Sequence, residues 1–393
     1  MQSRVIIVGG GLAAIRTAQA LRDLKYPGEV VVLSNESEWP YDRPPLSKNF
    51  LLGKSGEADV RLISTEKVTE LGIDMRLSQT VSAIDRAARK LQLADGEELA
   101  YDHLVIATGA TPIAIPALEG SRNASPLRSL NDARHVQALL GPGQKIALVG
   151  GGFIGLEIAA VATELGCEVT VIEASAAPLA PVLGLELGQI IQRWHEKKGI
   201  KFLCGSTLKS VSGFNGQLDE LELESGDQVT ADAVVVGVGT RANIEWLKDS
   251  GLELHRGLVC DSLGRSSDPF IFGVGDVVCC HRNGRCHPNR HWTATTEQAR
   301  RVAKLICGET EQGEVIDDFY FWSDQHGVRM QFAGQVPQQP KISFAIGGPE
   351  EDKFVALCGN ADEVTAVFSL GSPRDFNRLS GPLRLGEKVP MPA

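Results

Sequence analysis

The chain has 393 residues, 43% of them hydrophobic, and its 39 basic against 49 acidic side chains give a net charge of −10. The length predicts two or three domains, the acidic balance disfavours nucleic acid as a partner, and the apolar runs are too short to span a bilayer. Because a strand is expected from Arg4, no room is left for a signal peptide, and we expect a soluble cytoplasmic protein.

The first predicted element is a strand that leads through a glycine turn into a helix. The run Val5–Val8 is short, apolar and β-branched, which favours a buried strand, and the spacing G-x-G-x-x-A follows it at Gly9, Gly11 and Ala14. In this setting the spacing indicates dinucleotide binding, because the glycines let backbone approach a pyrophosphate at the helix N-terminus. Glycine-rich turns also arise for purely structural reasons, so a single fingerprint is weak evidence.

The same pattern recurs in the middle of the chain. The apolar run Ile146–Val149 is followed by Gly150, Gly152 and Gly155 in the spacing G-x-G-x-x-G, and then by a segment with helical apolar periodicity. Two fingerprints, each between a strand and a helix, indicate binding much more strongly than one.

Each fingerprint is followed by a second β-branched strand that ends near a polar side chain. These strands are Val30–Leu33 and Val169–Ile172; Asn35 and Glu36 follow the first, and Glu173 closes the second. A ribose hydroxyl is held at this position in dinucleotide-binding units. Either Asn35 or Glu36 could hold it in the first repeat, and the chain is predicted to bind two dinucleotides.

Three further strands end in small residues. Within the stretch Tyr101–Pro112, a buried strand ends in small residues and Gly109. The stretch Val229–Asn243 repeats that shape with Gly239, and a third strand ends in two glycines followed by Asp276. Small residues let backbone lie against a flat or phosphate-bearing ligand, although a simple strand-to-loop turn needs them too. The Asp276 carboxylate can accept hydrogen bonds from a polyol, or it can cap a following helix.

The eight cysteines include no C-x-x-C pair. Cys279 and Cys280 are adjacent, and adjacent residues rarely meet disulfide geometry. Cys280 and Cys286 with His281 and His287 suggest a metal site, but their spacing fits no common zinc pattern. We expect reduced, mostly structural thiols and no metal.

Beyond residue 313 the pattern changes. The stretches "FYFWSDQHGVRMQFAG" and "KFVALCGN" are typical of antiparallel strands joined by short turns. They predict a small α+β domain without a nucleotide fingerprint.

Together these residues resemble the flavoprotein reductases that bind two dinucleotides. The first fingerprint, "ATG" and "GVGD" are similar to the three FAD motifs of that family, and the second fingerprint is similar to its NAD(P)H site. Four further stretches narrow the resemblance to the ferredoxin reductases of bacterial oxygenase systems, which serve Rieske-type aromatic-ring dioxygenases and some cytochromes P450. They are "WPYDRPPLSK" (Trp39–Lys48), "FIGLEIAA" (Phe153–Ala160), "EQARRVAKLICG" (Glu297–Gly308) and "FYFWSDQ" (Phe319–Gln325).

The resemblance implies an α/β protein with two Rossmann-like domains and a small α+β C-terminal domain. The FAD-binding domain would comprise 1–109 and 240–313, the NAD-binding domain 110–239, and the C-terminal domain 314–393. The implied reaction takes hydride from NADH onto FAD and passes single electrons to a [2Fe–2S] ferredoxin of the Rieske or plant type. That ferredoxin must be a separate protein, because this chain has no C-x₄-C-x₂-C pattern.

The resemblance also assigns site residues. Lys48 and Glu157 would act beside the flavin and the nicotinamide, respectively, although Lys48 could simply pair with a nearby acid. The residues assigned to FAD are Gly9, Gly11, Leu12, Ala13, Ala14, Asn35, Glu36, Arg43, Lys48, Val81, Ala107, Thr108, Gly109, Arg128, Asp276 and Trp292. Those assigned to NADH are Gly150, Gly152, Phe153, Ile154, Gly155, Glu157, Glu173, Val238 and Gly239. "WTAT" at Trp292 departs from the usual W-x-N-A, which leaves contacts on the pyrimidine side open.

Three rival functions share these motifs. A disulfide reductase needs a cysteine pair, and an NADH oxidase or peroxidase a single cysteine, in the region where this chain has "PPLSKNFLLG". A flavin-bound interaction protein that resembles apoptosis-inducing factor would bind the same cofactors without rapid turnover.

A basic cluster is the candidate docking site for the ferredoxin. In the helix expected to begin near Glu297, Arg300 and Lys304 are spaced i,i+4 and share one face, and Arg301 flanks them. Since both proteins are acidic overall, a local basic patch must guide the encounter. A solvated helix face is the competing interpretation.

Overall fold

The structure is a computed structural model that describes residues 3–282, 285–288, 292–309 and 320–392. The strands before residue 113 are β1 Arg4–Val8, β2 Glu29–Leu33, β3 Ile73–Arg76, β4 Val81–Asp85, β5 Lys90–Leu93, β6 Glu98–Ala100, β7 His103–Ile106 and β8 Ala110–Pro112. The next are β9 Ala124–Pro126, β10 Lys145–Val149, β11 Glu168–Glu173, β12 Lys201–Cys204, β13 Leu208–Phe214, β14 Gln217–Leu223, β15 Gln228–Thr230, β16 Ala233–Val236 and β17 Thr240–Ala242. The last are β18 Leu258–Cys260, β19 Ile271–Gly273, β20 Val278–Arg282, β21 Arg285–Pro288, β22 Tyr320–Gln325, β23 Val328–Gly334, β24 Lys341–Ile346, β25 Phe354–Gly359, β26 Glu363–Leu370 and β27 Val389–Pro390.

Eight α-helices accompany these strands in the described ranges. They are α1 Leu12–Asp23, α2 Thr65–Glu70, α3 Leu130–Leu139, α4 Phe153–Glu164, α5 Ala180–Leu183, α6 Leu185–Glu196, α7 Trp292–Ile306 and α8 Pro373–Arg384. None of the helices in the described ranges has both the length and the apolar character needed to cross a membrane. Helix α7 begins at Trp292 and not near Glu297, so the helix expectation was about one turn too short.

The chain divides into two compact units. The first comprises Met1–Asp42, Glu57–Thr111 and Thr240–Asp317. Its parallel sheet has the order β19-β7-β1-β2-β3. Alternate residues of β1 enter different cores, Val5 and Ile7 on one face and Ile6 and Val8 on the other. Burial on both faces is why this strand is a continuous apolar run and does not alternate with polar residues.

The second unit comprises Arg43–Gly56, Pro112–Gly239 and Asp318–Ala393. It repeats a parallel sheet, in the order β12-β11-β10-β16-β9, and adds an antiparallel sheet in the order β22-β23-β26-β25-β24, with β27 on β26. The fold class expected from the sequence is therefore confirmed. The three-domain division stays a prediction, and its boundary at 313 lies outside the described residues.

One expectation about the cysteines was wrong. Cys279 forms a disulfide bond in the structure, whereas reduced thiols were expected. The adjacency of Cys279 and Cys280 disfavours only a bond between these two residues. The side chains of the other suggested metal ligands, His281, Cys286 and His287, lie outside the described residues.

Candidate functional site

In the first unit, three loops follow the carboxyl ends of three neighbouring parallel strands. The loop at 9–11 follows β1, the loop at 107–109 follows β7, and the loop at 274–276 follows β19. Because β19, β7 and β1 are adjacent in the sheet and run in the same direction, these loops share one edge. In open α/β sheets this edge is where ligands bind.

The first glycine loop has a tight part and an open part. Gly9 has φ +131°, and a Cβ there would collide with the carbonyl oxygen of Ala107. At Gly11 no atom of the described chain lies within 4 Å of the position of a Cβ. The amide of Ile15 donates to the Gly11 carbonyl at 3.1 Å, so the N–H groups of the three preceding residues lie outside the helical ladder. These donors belong to Leu12, Ala13 and Ala14.

The turn at Ala107–Gly109 is held by a residue that the sequence analysis did not single out. The Asn243 side-chain amide donates to the Thr108 carbonyl at 2.9 Å, and the Thr108 hydroxyl donates to the Asn243 carbonyl at 3.0 Å. The Asn243 N–H also donates to the Gly109 carbonyl at 3.0 Å. In the sequence, Asn243 is only the last residue of the stretch Val229–Asn243, and no local motif predicts that it lies beside Thr108.

Asp276 lies in a loop that packs on the start of α1. Gly275 has φ +81°, and a Cβ there would come within 3.0 Å of the Ala13 side chain. Its N–H donates to Gln298 Oε1 at 2.8 Å. Asp276 lies in the 3-10 turn Gly275–Val277, and strand β20 follows this turn directly. The interpretation of Asp276 as a helix cap stays a prediction.

The remaining FAD candidates of the first unit are spread around it. Val81 is buried in β4. Trp292 Nε1 donates to Asp42 at 3.1 Å, and the Arg16 guanidinium lies 5.7 Å from the Trp292 ring centroid. These contacts fix the Trp292 side chain at the start of α7.

The choice between Asn35 and Glu36 has a structural context. Asn35 is exposed, whereas Glu36 is half-buried and accepts a hydrogen bond from the Tyr41 hydroxyl. Leu33 pairs with Val8 in the first unit as Ile172 pairs with Val149 in the second. The residue that follows the paired position is Ser34 in the first unit and Glu173 in the second. The two repeats therefore differ at the end of the second strand, and only the second has its acid at the last position.

The second glycine loop reproduces the first. Gly150 has φ +110°, and a Cβ there would lie 2.5 Å from the Gly237 carbonyl oxygen, whereas at Gly152 no atom of the described ranges lies within 4 Å. A Cβ on Gly155 would collide with the Gly150 carbonyl, which explains the third glycine. The Glu173 carboxylate accepts N–H groups from Gly151 at 2.6 Å and from Ser175 at 2.7 Å.

Apolar side chains are exposed beside this second loop. Ile154 is 47% exposed and Val238 is 39% exposed, although both lie next to loop glycines. Gly239 has φ +104°, as a turn at the end of β16 requires. Phe153 is half-buried and packs edge-to-face on Phe321 with 4.4 Å between ring centroids. An exposed apolar rim around a phosphate-type cradle suits a nicotinamide dinucleotide.

Glu157, one turn into α4, is the centre of a buried polar cluster. It is 5% exposed, and its carboxylate pairs with Lys48 Nζ at 2.8 Å. Ser323 Oγ donates to it at 2.6 Å, and Ser47 Oγ donates to its other oxygen. The expected pairing of Lys48 with an acid is real, but that acid is Glu157 itself. Ser47 and Ser323 were quoted in sequence motifs without a role.

Arg43 and Arg128, the other two FAD candidates of the second unit, contact each other. Arg43 Nη1 donates to the Arg128 carbonyl at 2.5 Å. The N–H groups of Arg128 and Ser129 both donate to Asp132, which closes the capping box of α3. This bonding fixes the "LRSL" backbone at the start of a helix.

The candidate docking cations differ in exposure. Arg300 is exposed, whereas Arg301 and Lys304 are half-buried. The opposite face of α7 is buried through Gln298, Ala299 and Val302. Arg300 is therefore the most accessible of the three cations.

Several cysteines are poor nucleophiles in the structure. Burial raises the pKa of Cys204 to about 11 and that of Cys358 to about 12, and it also raises the pKa of Cys260. Thiols of this kind are protonated at neutral pH, and the thiolate is the reactive form.

The glycine cradles, the paired parallel sheets and the C-terminal sheet together define a nucleotide-dependent oxidoreductase. Residues 3–301 match the pyridine nucleotide-disulphide oxidoreductase family, and residues 320–390 match the reductase C-terminal family. The chain belongs to the pyridine nucleotide-disulphide oxidoreductase family.

Relatives narrow the class further. The ferredoxin–NAD(+) reductase component of the anthranilate 1,2-dioxygenase system from Burkholderia cepacia is 36% identical over 94% of this chain and 91% of the relative. The rubredoxin-NAD(+) reductase of Pseudomonas putida is 32% identical over 97% of this chain and 99% of the relative. The predicted class, a flavoprotein reductase that uses NAD(H) and resembles the ferredoxin reductases, is confirmed.

A solved structure agrees with this class. Putidaredoxin reductase in its covalent complex with putidaredoxin superposes with a TM-score of 0.92 and 28% identity, and the match covers 97% of this chain and 93% of that one. The antiparallel C-terminal part is thus common to this chain and to a reductase crystallised with its redox partner.

Proposed function

We propose that this protein takes hydride from NADH onto FAD and passes the electrons singly to a [2Fe–2S] ferredoxin that supplies an oxygenase. The observation that carries the proposal is the repeated cradle, with a tight glycine at Gly9 or Gly150 and an open one at Gly11 or Gly152. Each open position adjoins the N-terminal N–H groups of a helix, which suits a pyrophosphate. Because NADH is a cytoplasmic reductant, we also propose a cytoplasmic location.

FAD fits the first unit. The donors at the start of α1 would hold its pyrophosphate, Asp276 would accept hydroxyls of the ribityl chain, and Glu36 or Asn35 would hold the ribose. Val81, the turn at Ala107–Gly109 and Trp292 would line the rest. By resemblance, Arg43 and Lys48 are assigned to positions beside the flavin and its phosphates, and Arg128 to a contact with FAD.

NADH fits the second unit. The N–H groups at the start of α4 would bind the pyrophosphate, and Glu173 would accept the ribose hydroxyls. Ile154, Val238 and Phe153 offer apolar surface for the nicotinamide end. Glu157 already accepts bonds from Ser47, Lys48 and Ser323. A carboxylate has about four acceptor positions, so one remains for a donor such as the nicotinamide carboxamide.

The protein's own part in the reaction is binding and orientation. A bound FAD supplies the redox chemistry, acceptance of a hydride and release of single electrons. Lys48 is assigned by resemblance to a place beside the flavin, where its ammonium would favour the negative charge that the flavin gains on reduction, and it also pairs with the Glu157 carboxylate at 2.8 Å. This cluster contains no group that must accept or release a proton for hydride transfer.

The identity of the flavin and of the nicotinamide dinucleotide tests this proposal directly. Flavin released from the purified protein by heat should run as FAD in chromatography, at one per chain. NADH should reduce it, and NADPH should do so far less efficiently. FMN in the extract, or no flavin after reconstitution, would refute the assignment of the first unit.

The docking of the ferredoxin is proposed at the basic face of α7. Arg300 and Lys304 share that face, and complementary charge mainly raises the association rate. Reversing both charges to Glu should lower kcat/KM for ferredoxin and abolish its salt dependence. NADH reduction of the flavin should stay unchanged. A charge reversal at Lys248, an exposed lysine of the same unit, is the matched control.

An NADH oxidase is the second candidate, because it would use the same two cofactors. The region that would carry its cysteine has Ser47 and Lys48, and Ser47 donates to Glu157. Oxygen consumption that is slow and independent of ferredoxin would exclude this candidate.

A further inference from the structure

The cluster around Glu157 extends into a line of buried polar groups. Gln325 Nε2 donates to Ser323 Oγ at 2.9 Å, and Gln325 Oε1 lies 2.8 Å from His195 Nε2. His195 Nδ1 in turn lies 3.1 Å from His326 Nε2. Ser323, Gln325 and His195 are at most 1% exposed, so they hold polar atoms in the core between α6 and the C-terminal sheet. Buried groups of this kind are costly unless they are hydrogen-bonded.

The direction of every bond in this line follows from its first member. A carboxylate can only accept, so Ser323 must donate its single proton to Glu157. Its oxygen then accepts from the Gln325 amide nitrogen, which turns the Gln325 carbonyl towards His195. His195 must donate from Nε2, and when neutral it accepts at Nδ1 from His326. All four bonds therefore point towards Glu157, and bonds aligned in one direction polarise one another.

The surroundings hold His195 in the neutral form that this direction requires. Burial, reinforced by the nearby His326 and Lys198, lowers the pKa of His195 to about 3. Trp194 meets the imidazole edge-to-face at 4.9 Å, and Phe202 lies 6.1 Å away. His326 has φ +49° in the two-residue turn between β22 and β23. Asn and Gly are more common than His in this turn conformation.

We propose that Ser323, Gln325 and His195 are positioning residues that hold the Glu157 carboxylate in one orientation for the nicotinamide. The inference rests on the proposed function, since it assigns Glu157 to the NADH site. It also gives a role to "WSDQ": alternate residues of β22 carry Ser323 and Gln325 to the buried side, where strand periodicity predicts apolar residues. Gln325 has no titratable proton, so the line orients Glu157 and does not conduct protons.

The first test reads the tautomer of His195 in the unmodified holoprotein. NMR of protein labelled with ¹⁵N-histidine should show the His195 imidazole neutral, with its proton on Nε2, throughout about pH 5–8. Substitution His195→Gln would assign the resonance. A proton on Nδ1, or an imidazolium, would overturn the proposal, because Gln325 would then be turned the other way. This measurement does not depend on NADH turnover.

The second test separates orientation from binding. Ser323→Ala and Gln325→Leu should lower the rate constant for flavin reduction by NADH about 10- to 100-fold, the range expected when a reacting group is misplaced. The Kd for NADH should change less than about threefold, and the FAD content should stay the same. Ser369→Ala is the matched control, because Ser369 is also fully buried and its hydroxyl has no hydrogen-bond partner among the described residues.

The outcomes distinguish this inference from the proposed function. If the parent protein is reduced by NADH and the Ser323 and Gln325 variants match the parent or Ser369→Ala, the positioning role is refuted alone. If the parent protein binds no flavin, the proposed function fails, while the NMR result still decides the orientation of the buried line.

Discussion

Substituting Gly152 by Ala should separate nucleotide binding from stability. Gly152 has φ −76° and ψ 177°, which alanine adopts without strain, and no atom of the described residues lies within 4 Å of the new Cβ. Gly152 is the N-cap of α4, where alanine is the poorer cap, so stability should fall by at most about 1 kcal/mol. The methyl group would occupy the open part of the cradle, where a pyrophosphate approaches the backbone.

The expected loss of affinity can be bounded from the donors at this loop. Hydrogen bonds to a charged group contribute about 1.5–3 kcal/mol each. Displacing the phosphate from a single backbone N–H at the start of α4 should thus weaken NADH binding about 10- to 150-fold. Isothermal titration with NAD⁺ measures the affinity, and thermal unfolding followed by circular dichroism measures the stability.

Two glycine variants complete the comparison. Gly11→Ala occupies the equivalent open position of the first unit and should lower flavin content while NAD⁺ affinity is kept. Gly150→Ala should lose stability as well as binding, because its φ is +110° and its Cβ would lie 2.5 Å from the Gly237 oxygen. The reasoning is refuted if Gly152→Ala binds NAD⁺ within about threefold of the parent protein.

Three further predictions address specificity, cysteine chemistry and pH. Glu173 accepts two backbone N–H groups beside the second loop, and the following "ASAAPLAP" has no cation for a 2′-phosphate. NADH should therefore be preferred over NADPH, and Glu173→Ala should weaken that preference. Equal kcat/KM values for NADH and NADPH in the parent protein would contradict this. Cys280→Ser should leave NADH-dependent dye reduction nearly intact, and a collapse of turnover with FAD retained would restore a thiol mechanism. Since burial lowers the pKa of His195 to about 3, the unfolded state takes up a proton below about pH 6.5 that the folded state refuses. The free energy of unfolding should therefore fall by about 2 kcal/mol between about pH 7 and 5 because of this imidazole. In urea unfolding, the loss between these two pH values should be about 2 kcal/mol smaller in His195→Gln than in the parent protein. His135 is exposed, and His135→Gln is the control that should show the same loss as the parent.

The sequence was most informative where function and local backbone geometry coincide. The turns at Gly9 and Gly150 need positive φ and close backbone approach, so glycine is required there by the fold. The flanking strands are buried on both faces, which makes them continuous apolar runs. Each glycine fingerprint therefore lies between a strand and a helix in the sequence, and all three could be predicted from one short stretch of residues.

The buried cluster could not be predicted in the same way. Glu157, His195 and Ser323 lie on α4, α6 and β22, and Ser47 lies in the 3-10 turn Pro44–Ser47. These elements are far apart in the sequence, and tertiary packing brings their polar side chains together. The available signal was weak: polar residues at alternate positions of an apolar strand. Asn243 was missed for a related reason, because its place beside Thr108 depends on contacts that the local pattern does not specify.

In the proposed reaction, one NADH supplies two separate one-electron transfers to an external iron–sulfur protein. The most direct measurement is an anaerobic titration in which a catalytic amount of the protein, limiting NADH and excess [2Fe–2S] ferredoxin are followed by the visible absorbance of the cluster. Each NADH should reduce two ferredoxins, because NADH carries two electrons and the cluster accepts one. If NADH is oxidised without ferredoxin reduction, or only after oxygen is admitted, the protein is not a ferredoxin reductase.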